Sequence, residues 1–194
     1  MTILSAAVLL FFVMDPLGNV PAFLSALKNV PLERHRPVIV RELLIALVVL
    51  MGFLFVGPSM LAILKVSGTA LTVAGGVVLL LIALRMVFPA GDQGFREETA
   101  GEPFVVPLAI PYVAGPSALA TLLLFTSREP ARWLEWLLAL LLSWLATGVI
   151  LFLATPLSRL LGSRGLVAIE RLMGMLLVVV AVEMILSGMR QYLG

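Results

Sequence analysis

Phe12-Val13-Met14-Asp15-Pro16-Leu17-Gly18-Asn19-Val20-Pro21 interrupts the first apolar stretch of the chain, which runs from about residue 2 to 30. Proline removes a backbone donor and clashes with the preceding turn, and glycine relaxes the backbone, so this stretch is not one continuous helix. The stretch 103–126 is cut in the same way by Pro107-Leu108-Ala109-Ile110-Pro111-Tyr112-Val113-Ala114-Gly115-Pro116. At about 1.5 Å per residue, the pieces beside each break cross only part of a hydrocarbon core of about 30 Å. Each segment is therefore either a discontinuous spanning helix, broken near the midplane, or a re-entrant hairpin. The freed backbone groups are tolerated only where protein or a watery cavity receives them.

Outward from these two breaks, the apolar stretches 41–57, 67–88, 134–155 and 171–189 are long enough to cross the core as helices. Arg41 and Glu42, Lys65, Phe88-Pro89, Trp133 and Glu135, Arg159 and Arg171 mark their ends. Polar connections fall at 28–41, 89–102, 127–133 and 156–171. The 194 residues are 61% hydrophobic and 12% charged, against about 45–50% apolar and about 25% charged in an ordinary soluble domain. A soluble globular domain is excluded, and lipid is the solvent for most side chains. Met1 to Met14 lacks the positive n-region of a signal peptide and reads as part of the mature fold.

Several function classes fall away. The chain has no cysteine, which removes thiol chemistry and Cys-ligated metals, and its single histidine, His35, lies in a charged connection. No metal or organic cofactor is expected. The 13 Lys and Arg are spread singly, with a net charge of +2, so there is no footprint for nucleic acid. An intramembrane enzyme would need paired acid and base groups at depth, and none is apparent, so no enzyme activity is expected.

The two halves of the chain resemble each other. At an offset of 95, Pro16 and Pro21 fall on Pro111 and Pro116, so both broken segments carry Pro-x4-Pro at the same place. At an offset of 98, Pro58, Gly76, Ala83 and Met86 fall on Pro156, Gly174, Ala181 and Met184. Residues 1–97 and 98–194 thus read as two three-segment repeats of one membrane domain. If every segment spans, an odd number per repeat inserts the halves with opposite orientation, as in many secondary transporters. The expected fold is all-α and polytopic, with six transmembrane helices in two inverted repeats. With both termini outside, the inner side receives Lys28, Arg34, Arg36, Arg41, Arg96, Arg159, Arg164 and Arg171. The outer side then receives only Lys65, Arg128, Arg132 and Arg190, as the positive-inside rule favours.

Asp15 is the only acid inside the first segment, and an ionisable residue at that depth is a functional candidate by default. It either caps the half-helix that follows or caps it and also contacts a substrate or ion. Gly18, Asn19, Gly115, Pro116 and Ser117 lie where second half-helices are expected to begin. Free N–H groups there suit a carboxylate. The carbonyls around Val13, Met14, Ala109 and Ile110, where first half-helices end, suit a cation. Arg85 and Glu183 occupy equivalent repeat positions, but in an inverted arrangement they lie near opposite ends of their helices. Arg85 can snorkel to the surface on its long stem or, with Glu183, serve as a gate. Glu183 is open between a gate or proton-linked acid and a residue near the outer interface. Trp133, Trp136 and Tyr192 read as interfacial anchors, and Trp144 as a packed residue.

The run Phe12 to Phe23, with Pro107 to Ala118, resembles the MarC family, also described as neutral amino acid transporters of the SnatA type. The similarity covers essentially the whole chain. It implies a multi-pass protein of a bacterial or archaeal cytoplasmic (inner) membrane, and movement of small neutral amino acids such as glycine and alanine coupled to sodium or protons. Asp15, Pro16, Gly18, Asn19, Pro21, Pro107, Pro111, Gly115 and Pro116 match the family pattern, whereas Tyr112 is bulkier than the aliphatic residue expected there. The expected partners are the lipid bilayer and the amino acid, and a homo-oligomer is left open. The expected mechanism is alternating access around a midplane site. Substrate would contact Asp15, Pro16, Gly18, Asn19, Pro21, Pro111, Gly115, Pro116 and Ser117, and a coupling ion would contact Asp15, Ala109 and Ile110. The rival readings are an exporter of drugs or other small solutes, and a channel.

Overall fold

A computed structural model describes residues 1–28, 30–88 and 108–193. Among them the chain is all-helical, without strands. Seven α-helices follow in order: α1 (Ile3–Met14), α2 (Pro16–Ala26), α3 (Leu32–Leu64), α4 (Gly68–Val87), α5 (Pro116–Arg128), α6 (Trp133–Phe152) and α7 (Ala154–Leu193). A π turn (Leu108–Val113) precedes α5, and a 3-10 turn (Pro130–Arg132) precedes α6. Five stretches are long and apolar enough to cross a membrane: Ile3–Ala26, Leu32–Ile63, Gly68–Val87, Pro130–Phe152 and Arg164–Leu193.

Two helices outrun the apolar stretches that predict them. The stretch 41–57 sits inside α3, which spans 33 residues and absorbs most of the connection 28–41. The reason is a buried stripe of Ile39, Leu43, Ala46, Leu50 and Leu54, which starts before the apolar run does. The connection 156–171 is likewise helical, interrupted at Gly162, whose φ of 65° and ψ of 174° suit a residue without Cβ. Hydropathy marks where lipid begins, whereas the helix continues until its backbone is capped or bent.

Side-chain contacts fix the direction in which each helix runs. Along α1 and α6 both residue numbers rise together: Arg132 donates to Met1 O (2.8 Å), Ser143 Oγ to Ala7 O (2.7 Å) and Thr147 Oγ1 to Met14 Sδ (3.7 Å). These helices are parallel. Along α3 and α6 the numbers run oppositely: the Arg36 guanidinium lies 5.4 Å above the Phe152 ring, Trp144 Nε1 donates to Leu43 O (2.8 Å), and the Phe55 and Trp133 rings are 6.0 Å apart. These two are antiparallel.

The seam between α4 and α7 is antiparallel as well, and it is reciprocal. A Cβ built at Gly76 would sit 2.9 Å from Ala181 O and 2.8 Å from Ile185 Cγ1. One at Gly174 would sit 3.1 Å from Ala83 O and 2.9 Å from Val87 Cγ2. Gly76, Ala83 and Val87 are the residues 98 positions before Gly174, Ala181 and Ile185, so each helix offers the other the same surface. At the far end of the seam, Gly188 lies against Thr69 and Val73. Small residues let the backbones approach, where dispersion and not the hydrophobic effect holds helices together in lipid.

The two chain ends meet at one end of the bundle. Arg132 holds Met1 O there, and Arg128 Nη2 donates to Gln191 Oε1 at 2.8 Å. Arg132 also bridges Glu129 and Glu135 and holds the Glu129 carboxyl below the usual carboxylate range. Trp136, expected at an interface, is 1% exposed: its Nε1 donates to Glu129 O (3.0 Å), and its ring stacks against Phe125 and under Arg132. Trp133 and Tyr192 are exposed near helix ends. Trp144, through its bond to Leu43 O, packs as expected.

Candidate functional site

The first break is made by one residue. Asp15 adopts the left-handed conformation (φ 45°, ψ 59°), which Asp tolerates better than most residues. Its backbone N–H closes α1 by donating to Phe11 O (3.0 Å) and Phe12 O (3.1 Å). Its carboxylate Oδ1 opens α2 by accepting from Gly18 N (3.2 Å), and Pro16 occupies the first helical position, where a missing N–H costs nothing. The second half-helix therefore begins at Pro16, two residues before Gly18. Asn19 reaches back, Nδ2 donating to Met14 O at 2.9 Å, so that carbonyl is already engaged. Gly18 is closely fitted: a Cβ there would collide with Asp15 Oδ2 and with Met86 Cε unless those side chains shifted. Pro21 lies inside α2.

The second break has another shape. Ile110 leaves helical geometry (φ −127°, ψ 126°) within the π turn, which also carries Ala109 and Pro111. Ala109 O accepts from Ala114 N (2.9 Å), so it too is engaged. Gly115, in an extended conformation, is the N-cap of α5 without a side-chain cap, and Pro116 is the first helical residue. Ser117 is buried, and Thr121 Oγ1 donates to its carbonyl at 2.8 Å. Pro107 lies outside the described residues.

The two broken segments touch crosswise, α1 against α5 and α2 against the π turn. The fold thus brings together the regions that Asp15, Pro16, Gly18, Asn19, Ala109, Ile110, Pro111, Gly115, Pro116 and Ser117 occupy. Asp15 is 7% exposed and lines a crevice with Phe11, Phe12, Pro16, Leu17 and Met173, too tight for a water molecule. Arg85 adjoins Met86, whose Cε faces Gly18 of the first break, whereas Glu183 adjoins Met184, whose Cε faces Gly75. The antiparallel seam sets Arg85 near Gly174 and Glu183 near Gly75, toward opposite ends of the bundle, as expected.

Two acids escaped the sequence reading. Glu42, taken as a segment boundary, is fully buried, its Oε1 accepting from Arg41 Nε at 2.9 Å. It lies on the same stripe as Ile39, Leu43 and Ala46, and neighbouring Leu43 O receives Trp144, three residues before the Thr147 that reaches Met14. Glu42 is therefore level with the first break, and the stripe is the signal that could have found it. Glu170, assigned to a connection, stands one turn before Met173 on α7, within electrostatic range of Asp15.

The sequence profile of the MarC family integral membrane proteins matches residues 1–193. The chain belongs to the MarC family. It is 48% identical over 192 residues to the UPF0056 inner membrane protein YhgN of Escherichia coli (strain K12), with 98% of each chain covered. A UPF0056 membrane protein of Buchnera aphidicola subsp. Acyrthosiphon pisum is 44% identical over 190 residues, covering 98% of this chain and 97% of its own. One from Chlamydia pneumoniae is 32% identical over 190 residues, covering 97% and 94%. No solved structure matches. These names state membrane residence and no solute. The MarC chain is a multi-pass membrane protein of the inner-membrane kind that the E. coli relative's name describes.

Proposed function

We propose that this MarC protein is a secondary transporter of small neutral amino acids of the glycine and alanine type, coupled to sodium or protons. The observation that carries the reading is the crosswise meeting of two proline-broken segments in the bundle core, one of them holding a buried carboxylate. Irregular backbone at membrane depth has a use where a polar solute must be met, and a buried ionisable group is the usual partner of such a solute. The N-terminal turns of α2 and α5 offer N–H groups to a carboxylate, and Asp15 offers its second oxygen to an ammonium or a coupling cation. The tight crevice at Asp15 favours a small solute over a drug, and it must widen on at least one side for transport. The substrate class itself rests on the resemblance to SnatA-type transporters.

The same proposal includes six crossings in two inverted repeats. Chain ends that share one end of the bundle require an even number of crossings, and a sixth that includes α5 completes the five apolar spans. The reciprocal α4–α7 seam supports a pseudo-two-fold axis between the halves. The packing agrees, since α4 meets α5 as α7 meets α2, and α3 meets the π turn as α6 meets α1. The distribution of Lys and Arg supports termini on the outside.

Purified protein in liposomes should exchange labelled glycine or alanine in counterflow, and an imposed sodium or proton gradient should drive accumulation. Asp15→Asn keeps the cap, because Asn caps helices and tolerates the left-handed region, but removes the charge. It should lower gradient-driven accumulation by about tenfold or more, since an ion contact worth about 1.4 kcal/mol is a factor of ten. Absence of counterflow for every small neutral amino acid would sink the substrate class, and conductance without saturation would replace the carrier by a channel.

A further inference from the structure

A second polar site lies away from the breaks, at the end of the bundle that holds the chain termini. Among the described residues, Glu183, Ser187, Arg190 and Gln191 line an open concavity of about 370 Å³ on one flank of α7. Their spacing of four, three and one residues places them along a single helical face. Beside this face, α7 turns Leu172, Met175, Val179, Val182, Leu186 and Met189 outward, as lipid requires. The polar stripe is therefore a local exception on a spanning helix, where an exposed glutamate costs free energy unless water or a partner meets it. The cavity opens beside the end of α5, where Arg128 fixes Gln191 with a 2.8 Å bond.

We infer that this cavity is a binding site for a small zwitterion, ahead of the central breaks on the path from the face that carries the termini. Arg190 presents a fork suited to a carboxylate, and Glu183 presents a carboxylate suited to an ammonium. Seven residues separate them, a rise of about 10 Å along the helix, a span that two long flexible side chains can reach across. Ser187 stands between them as a hydroxyl donor or acceptor, and the held Gln191 supplies an amide N–H. Opposite charges on one wall select a ligand that carries both, and they disfavour a simple anion or cation, each of which would meet one repulsive group. The choice of a free amino acid as ligand rests on the transport reading above; the site itself does not.

The chain has no cysteine, so Ser187→Cys introduces a unique thiol into the cavity. In detergent-purified protein, glycine at ten times its half-saturating concentration should slow maleimide labelling of that thiol about tenfold, because only empty sites react. Adding Arg190→Gln or Glu183→Gln should abolish the protection at the same glycine concentration. In liposomes, the same two single substitutions should raise KM for glycine counterflow several-fold and leave the maximal rate within about twofold, as loss of uniform binding does. Protection without counterflow would uphold the cavity and remove the transport reading. Counterflow without protection would do the reverse. Labelling slowed by added phosphatidylethanolamine and not by glycine would overturn the proposal in favour of a lipid headgroup.

Discussion

Asp15 joins two helix halves through four hydrogen bonds, made by its N–H, its carboxylate and its carbonyl, and its neighbours are fitted to it closely. Gly18→Ala would push a methyl group into the Asp15 carboxylate and Met86 Cε. It should lower the unfolding free energy by about 1–3 kcal/mol, the usual cost of overpacking, read as a fall in melting temperature in detergent. Asp15→Ala loses the cap and leaves a β-carbon in the left-handed region, so it should cost about 1–2 kcal/mol more than Asp15→Asn. Equal melting temperatures for the two variants would show that the carboxylate does not hold α2. The position of this break was legible in the sequence, because an Asp-Pro pair followed by glycine admits few other readings. Glu42 was not legible as a buried group, because an ion pair at the rim of an apolar run looks the same whether the helix ends there or continues.

Among the elements, the α4–α7 seam governs the packing. Gly76→Ala and Gly174→Ala each place a methyl group against a carbonyl oxygen and a branched side chain of the facing helix. Backbone cannot yield as a flexible side chain can, so each should destabilise by about 1–3 kcal/mol, and by similar amounts. Thermal unfolding of the two single variants side by side checks this; a large effect at one glycine and none at the other would break the equivalence of the halves. The repeat offset of 98 anticipated which residues correspond, but not that they face each other. Helix ends were the least legible feature, since α3 and the beginning of α7 run on beyond the lipid-facing composition under the control of internal stripes and Gly162. Trp136 was misjudged for a related reason: its place near a helix end suggested an interface, but Glu129 O and the Phe125 ring draw it inward.

At the scale of the whole molecule, the shared location of the termini makes topology directly testable. With Thr2→Cys, Gln191→Cys and Arg36→Cys as separate single-thiol variants, a membrane-impermeant maleimide applied to intact cells should label the first two. Arg36→Cys should react only after the membrane is opened. Labelling of Thr2→Cys and Gln191→Cys from opposite sides would exclude an even number of crossings. The five apolar spans and the two breaks were visible in composition and proline spacing. An expectation of one site shared by the two breaks follows from the repeat reading, but which half touches which does not, because no local signal records which segments become neighbours across 95 residues.

The reciprocal seam has an energetic corollary for a carrier built this way. When two halves offer each other the same surface, exchanging their conformations produces a state open to the opposite side, and perfectly matched halves would populate both states equally. Any resting bias must then originate where the halves differ. One such difference in chemistry stands at the breaks, where Asp15, Gly18 and Asn19 correspond to Ile110, Val113 and Ala114 at the offset of 95. The carboxylate proposed to meet the solute would on this account also be the weight that tips the idle balance, so its neutralisation would change the sidedness of the empty protein as well as its grip.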